Sequence, residues 1–229
     1  MKIVYRVLSK IIHSFLIIIS RILKRRGDIY MLHSVGDNLF DYNITVFSFE
    51  CLLKKLQNKN VVRLEDWSKS NDFICVTFDD VPYSFYYNAF PLLKKYNIPF
   101  TIFVSCSLLD SEKYLSTKML EEIAACELCT VGSHGCTHSF YADMNKSKAV
   151  LDLRNSKQFL ERLTNKQVNL YAFPYGSIYA CGLKNKKLVK QIYKYGFGTV
   201  DCSITKPLLC PKYFLPRINI DDSFIYKLK

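Results

Sequence analysis

Two pairs of side chains in this sequence could act together in a reaction. Asp79 and Asp80 end an apolar run in CVTFDDVP (75–82), and His134 and His138 stand four apart in VGSHGCTH (131–138). Neighbouring side chains on a strand point to opposite faces, so the two carboxylates cannot both be solvent decoration. Taken alone, the acids also suit a turn opening before Pro82 or a helix N-cap. The i, i+4 spacing brings two imidazoles to one side of a helical turn, which Ser133 is placed to cap. Two histidines and a carboxylate from a second strand make a standard ligand set for a divalent metal. A lone HxxxH pair is equally read as structural, but an Asp-Asp pair at another strand end favours the metal.

The elements that must hold these residues alternate along the chain. Short apolar runs at 29–32, 73–78, 99–104, 129–133 and 169–173 read as buried strands. Helical spacing is expected over 47–59, 85–97, 116–125, 147–163 and 183–196, the last stopped by Gly196. Extended segments at FGTV (197–200) and YFLPRINI (213–220) close the chain. Strands alternating with helices imply an α/β fold with a parallel sheet, open or closed into a barrel. In such folds functional residues gather at the carboxyl ends of strands. TFDD, GSHGCTH and AFPYG sit at three such ends, and the first strand runs into His33. No repeat or linker divides residues 28–229, so they are expected to form one domain.

TFDD (77–80), NAFPLLKKYNIPFTIFV (88–104) and VGSHGCTH together resemble the polysaccharide deacetylases with a NodB homology domain, carbohydrate esterase family 4. The resemblance runs from about residue 29 to 220. It implies a distorted (β/α) barrel of about seven strands that removes acetyl groups from glycans. It further implies that Asp80, His134 and His138 bind one divalent metal, zinc first, with cobalt, nickel or iron as other candidates. Asp79 would be the general base, and Tyr175 in FPYG would offer its backbone N–H to the developing oxyanion. Three features depart from the family pattern. Ala172-Phe173 stands where an arginine usually orients the base, and Arg217 in FLPRINI is the candidate replacement. Val81 stands where a glycine commonly follows the two acids, and no histidine follows His138 to serve as the acid. His33 in YMLHSVGD resembles the early histidine of a permuted branch that includes poly-N-acetylglucosamine deacetylases, which makes it the expected catalytic acid.

The net charge of +12 is unevenly spread. Residues 1–27 hold seven Lys or Arg and no acid, leaving 25 basic against 20 acidic residues after them. This head is expected to be a basic amphipathic helix that lies on an anionic membrane surface through residues 1–26 or packs against the domain. Its apolar stretch from Ile11 to Ile19 reads as too short to cross a bilayer, and no small-residue cleavage site follows it. Nucleic acid is not an expected partner, because no reading motif accompanies the charge. Nine irregularly spaced cysteines argue against a disulfide framework and for reduced thiols. They favour the cytoplasm or the inner membrane face, with export on an uncleaved anchor as the alternative. YSFYY (83–87) could supply sugar-stacking walls or pack the following helix. The leading expectation is a metal-dependent hydrolase acting on a glycan that carries N-acetyl groups; a silent glycan-binding module on the same fold is the alternative.

Overall fold

The computed structural model describes residues 2–36, 43–182 and 185–227. In chain order the elements are α1 (Lys2–Ile22), β1 (Lys24–Leu32), β2 (Ser34–Val35), β3 (Asn43–Ile44), α2 (Val46–Leu56) and β4 (Phe73–Asp79). There follow α3 (Phe90–Lys95), β5 (Phe100–Val104), α4 (Thr117–Ala125), β6 (Cys129–Ser133), α5 (Lys146–Thr164) and β7 (Leu170–Ala172). The chain continues through α6 (Ile178–Cys181), α7 (Asn185–Ile192), β8 (Tyr195–Phe197), β9 (Ile204–Lys206), β10 (Ile218–Asn219) and α8 (Asp222–Lys227).

Seven strands form a parallel sheet in the order β10-β1-β4-β5-β6-β7-β8, and β9 pairs antiparallel with the start of β1. The sheet curls until its two edges are spanned by the segment 213–219. Within it Leu215 bridges to Phe197 of β8, and Ile218 and Asn219 pair with Tyr30 and Met31 of β1. The seven-strand, distorted-barrel expectation holds, with one chain segment acting as the clasp. Because both ends of the chain meet there, residues from either end can reach one cavity.

Local sequence explains the elements. All seven residues of β4 are buried, as a central parallel strand covered on both faces requires. Ser116 and Asn145 cap α4 and α5 by accepting the N–H groups of Met119 and Lys148. The expected helix over 85–97 is present but begins with a single π turn at Phe85–Ala89. The helix expected over 183–196 is shorter: residues 183 and 184 lie outside the described ones, and α7 ends at Ile192. Gly196 does not stop it; it lies inside β8, where an added Cβ would sit 2.5 Å from the Tyr213 carbonyl oxygen. Close backbone approach at the clasp, not helix termination, requires glycine here.

The basic head is a helix that packs along α6, and β1 begins at Lys24, so the last four head residues already belong to the sheet. Tyr5, Ser9, Ile12, Leu16 and Ser20 of α1 turn toward the domain. Ile3, Val7, Ile11, Phe15, Ile18 and Ile22 remain exposed. The expectation of a stretch too short to span does not hold for the whole helix. Its 21 residues are long and apolar enough to cross a membrane, because Val4, Val7 and Leu8 extend the stripe toward the amino end. All nine cysteines are free thiols.

Candidate active site

The carboxyl ends of β1, β4, β6 and β7 and the clasp open on one cavity of about 530 Å³. His33, Asp79, Asp80, His134, His138, Tyr175 and Arg217, all singled out in the sequence, line it. Residues as far apart as His33 and Arg217 meet because β1 neighbours both β4 and β10.

Asp79 closes β4 with its carboxylate buried, and Arg217 reaches it from the clasp. Arg217 Nη1 donates to Asp79 Oδ1 at 2.7 Å and Nη2 to Oδ2 at 2.6 Å, a two-pronged pair. The guanidinium is fully buried, donates from Nε to the Gly198 carbonyl, and lies over the Phe103 ring. Burial pushes the Asp79 carboxyl up, but the charge of Arg217, its hydrogen bonds and the neighbouring imidazoles outweigh it and hold it below its ordinary value. Asp79 is therefore an anion at neutral pH, with both oxygens fixed in place.

At Asp80 the backbone turns to φ +61° and at Val81 to +50°. This left-handed pair swings the Asp80 carboxylate away from Asp79 and toward the β6 end. A glycine would adopt Val81's conformation without strain, which accounts for its usual presence there. Asp80 Oδ1 lies 3.0 Å from His138 Nε2 and 3.5 Å from His134 Nε2, yet this buried oxygen has no aligned donor. His134 Nδ1 is 2.9 Å from the Ala172 carbonyl, which can only accept, so Nδ1 carries the proton and Nε2 presents its lone pair to the site. The ligand atoms of Asp80, His134 and His138 all lie within 4.8 Å of one another. Three lone pairs converging on a point without a shared proton fit a divalent metal. Burial raises the Asp80 carboxyl, but contact with His138 and the neighbouring imidazoles bring it down to about 2. Burial lowers His134, keeping it neutral as a ligand must be, whereas Asp80 raises His138 despite its burial.

The two histidines do not share a helical turn, as their spacing suggested. The chain leaves β6 at Ser133 and runs through Gly135 (φ +82°) and His138 (φ +47°) as an irregular loop. Ser133 caps nothing helical; its Oγ accepts the Gly135 N–H and donates to Ser156 Oγ. Asp152 of α5, buried, accepts from the backbone N–H groups of Cys136 (2.9 Å) and Thr137 (3.1 Å), from the Thr137 hydroxyl (2.8 Å) and from the Tyr141 hydroxyl (2.6 Å). A Cβ on Gly135 would come within 2.8 Å of this carboxylate. The shape that aims both imidazoles at Asp80 is thus imposed from α5. Sequence reading missed Asp152, although an acid on the buried stripe Ala149-Leu153-Ser156-Leu160 was a usable signal.

Tyr175 follows β7 in the left-handed region (φ +59°), and its exposed ring lies 5.0 Å from that of His138. The residues YSFYY do not line the cavity: Phe85 is core, packed on Phe78, and Tyr86 donates to Glu122.

Known proteins are similar to this chain in sequence and in fold. Residues 68–200 match the family model described as Polysaccharide deacetylase. The chain is 28% identical to the poly-beta-1,6-N-acetyl-D-glucosamine N-deacetylase of Staphylococcus epidermidis, over 86% of this chain and 75% of the relative. The Staphylococcus aureus (strain MSSA476) protein of the same name is 29% identical, over 86% and 74%. The solved structure of a Bacillus cereus polysaccharide deacetylase shares the fold at a TM-score of 0.78, with 23% identity, covering 90% of this chain and 70% of that one. IcaB from Ammonifex degensii does so at 0.76, with 18% identity and 90% and 96% covered. The family match takes in the strand ends bearing Asp79, Asp80, His134 and Tyr175, while His33 and Arg217 lie on either side of it, His33 brought in by the pairing of β1 with β4 and Arg217 by the clasp. Matched over more than half its length, this chain belongs to the polysaccharide deacetylase family.

Proposed function

We propose that the protein hydrolyses N-acetyl groups on an N-acetylglucosamine-type polysaccharide, releasing acetate and leaving a free amine. The observation that carries this reading is the meeting of an arginine-held carboxylate and a two-histidine, one-carboxylate cluster in one cavity. The names of the staphylococcal relatives support nitrogen as the acetylated atom and a glycan as the substrate.

Asp80, His134 and His138 would hold a divalent ion, zinc first among the candidates. Such an ion, when bound, lowers the pKa of water and polarises a carbonyl oxygen. Asp79, anionic and clamped by Arg217, takes the proton of the attacking water. The Tyr175 N–H donates to the acetyl oxygen as that atom gains charge. His33, across the cavity at the end of β1, gives a proton to the departing nitrogen. The balance is one water consumed, one carbon–nitrogen bond broken, and acetate and an amine formed.

The exposed apolar stripe of α1, with Lys2, Arg6, Lys10 and Arg21 interspersed, supports attachment to an anionic membrane surface. Packing of the opposite side along α6 favours a helix lying in the surface over one crossing it. As a helix near the amino end, α1 is compatible with a signal or an anchor.

The test is acetate release from N-acetylglucosamine oligomers by the full chain, with metal content measured alongside. About one metal per chain is expected, with activity lost to a chelator and restored by zinc or cobalt. Asp79→Asn should keep the metal and lose about 10²-fold or more in rate, whereas His134→Ala should lose both. A chain that binds no metal and releases no acetate would overturn the reading in favour of a glycan-binding module.

A further inference from the structure

A line of rings leads out of the cavity toward α1. Tyr175, beside His138, has its ring centroid 5.7 Å from that of Phe140, Phe140 lies 5.4 Å from Tyr179, and Tyr179 lies 5.5 Å from Tyr5. Along this line runs a groove of about 690 Å³ between the barrel rim and the helix. Phe140, Ser177 and Tyr179 form one wall, and Arg6, Lys10 and His13 of α1 form the other. No carboxylate is among the described residues that line it.

We infer that this groove is a binding track for the polymer beyond the unit being deacetylated, and that it takes acetylated, uncharged units. The inference rests on the glycan reading above and assigns it a direction. Ring faces suit the flat, C–H-rich faces of pyranose units, with the serine and tyrosine hydroxyls and α1 side chains offering partners to sugar hydroxyls. The Tyr175–Phe140 contact joins the rim of the cavity to the groove, and the chain neighbours Gly176 and Ser177 line one and the other, so a polymer laid along the rim reaches both. Its charge makes the distinction between substrate and product. A deacetylated unit carries an ammonium, which Arg6 and Lys10 repel, whereas an acetylated unit carries none. Unreacted polymer is thus held on the α1 side, and cationic product is disfavoured there.

The experiment compares full-chain wild type with Tyr179→Ala and with the double variant Arg6→Glu, Lys10→Glu. Calorimetry measures binding of N-acetylglucosamine dimers, fully acetylated hexamers and partly deacetylated hexamers, and acetate release is followed in parallel. Tyr179→Ala should weaken hexamer binding about fivefold and leave the dimer within twofold. The charge reversal should improve binding of the partly deacetylated hexamer relative to the acetylated one. Equal weakening for dimer and hexamer, or none for either, would overturn the track, as would an unchanged preference in the double variant. Hexamer binding that falls in Tyr179→Ala while no chain length yields acetate would support the track and sink the hydrolytic reading, so the two failures separate.

Discussion

Arg217 and Asp79 are 138 positions apart in the chain and share two hydrogen bonds in the cavity floor. A buried pair of this kind often adds little to stability compared with a well-packed apolar pair, yet breaking it leaves a charge stranded. The pair therefore reads as a positioning device whose loss is costly. Arg217→Met should destabilise the fold by about 3–5 kcal/mol, a drop in Tm of roughly 6–20 °C at this chain length. Adding Asp79→Asn should restore part of that loss, because the stranded charge is gone; scanning calorimetry on the single and double variants would decide. A double variant as unstable as the sum of the singles would show that the two residues act independently. Val81 offers a second test at this scale. Its left-handed backbone costs about 1–3 kcal/mol for a β-branched residue, and its burial returns about 1.5–3 kcal/mol. Val81→Gly should therefore shift Tm by at most about 8 °C in either direction. A large fall would mean that the turn is not strained. The motif residues were legible because their types and spacing carry chemistry. Arg217 was visible only as a candidate, since nothing local says which distant strand end it will meet.

At the level of elements, the loop between β6 and α5 is where sequence reading failed most instructively. An i, i+4 pair of histidines suggests a helix, but hydrogen bonds to Asp152 and Ser133 hold the backbone in a different shape that reaches the same juxtaposition. Asp152→Asn would put an amide where the carboxylate now accepts four hydrogen bonds. The histidines should lose their common aim, and affinity for zinc or cobalt should fall about 10- to 100-fold. Competition titration with a chromophoric chelator measures this, and circular dichroism checks that the fold persists. Unchanged affinity would show that the loop keeps its shape without α5. The strands β4 to β7 were read to within a residue or so because buried parallel strands are short, continuous apolar runs, whereas β9 and the first half of β1 were not read. The 183–196 helix was overextended because periodicity cannot reveal that Tyr195–Phe197 pairs with β7 and lies against the clasp.

For the whole molecule, the asymmetry of charge and of exposed apolar surface falls on one helix. Vesicles containing anionic lipid should recover the full chain by flotation, and binding should weaken as salt rises. Replacing Lys2, Arg6, Lys10 and Arg21 with Gln should cost about 1 kcal/mol per charge near the surface. Equal recovery on neutral vesicles would rule out a role for the charge. The α/β class was legible from alternating strands and helices and the barrel from the family resemblance, but the apolar stripe's exposure was not, since it depends on α1 turning Tyr5, Ser9 and Ser20 inward. Only Leu23 separates α1 from β1, which leaves no slack between the two. Whatever surface holds the helix also fixes the height and tilt of the catalytic mouth above it. On the proposed surface attachment, an enzyme on a flexible leash would sample a hemisphere, whereas this one would be bolted down, and its substrate would have to pass at a set distance and in a set orientation.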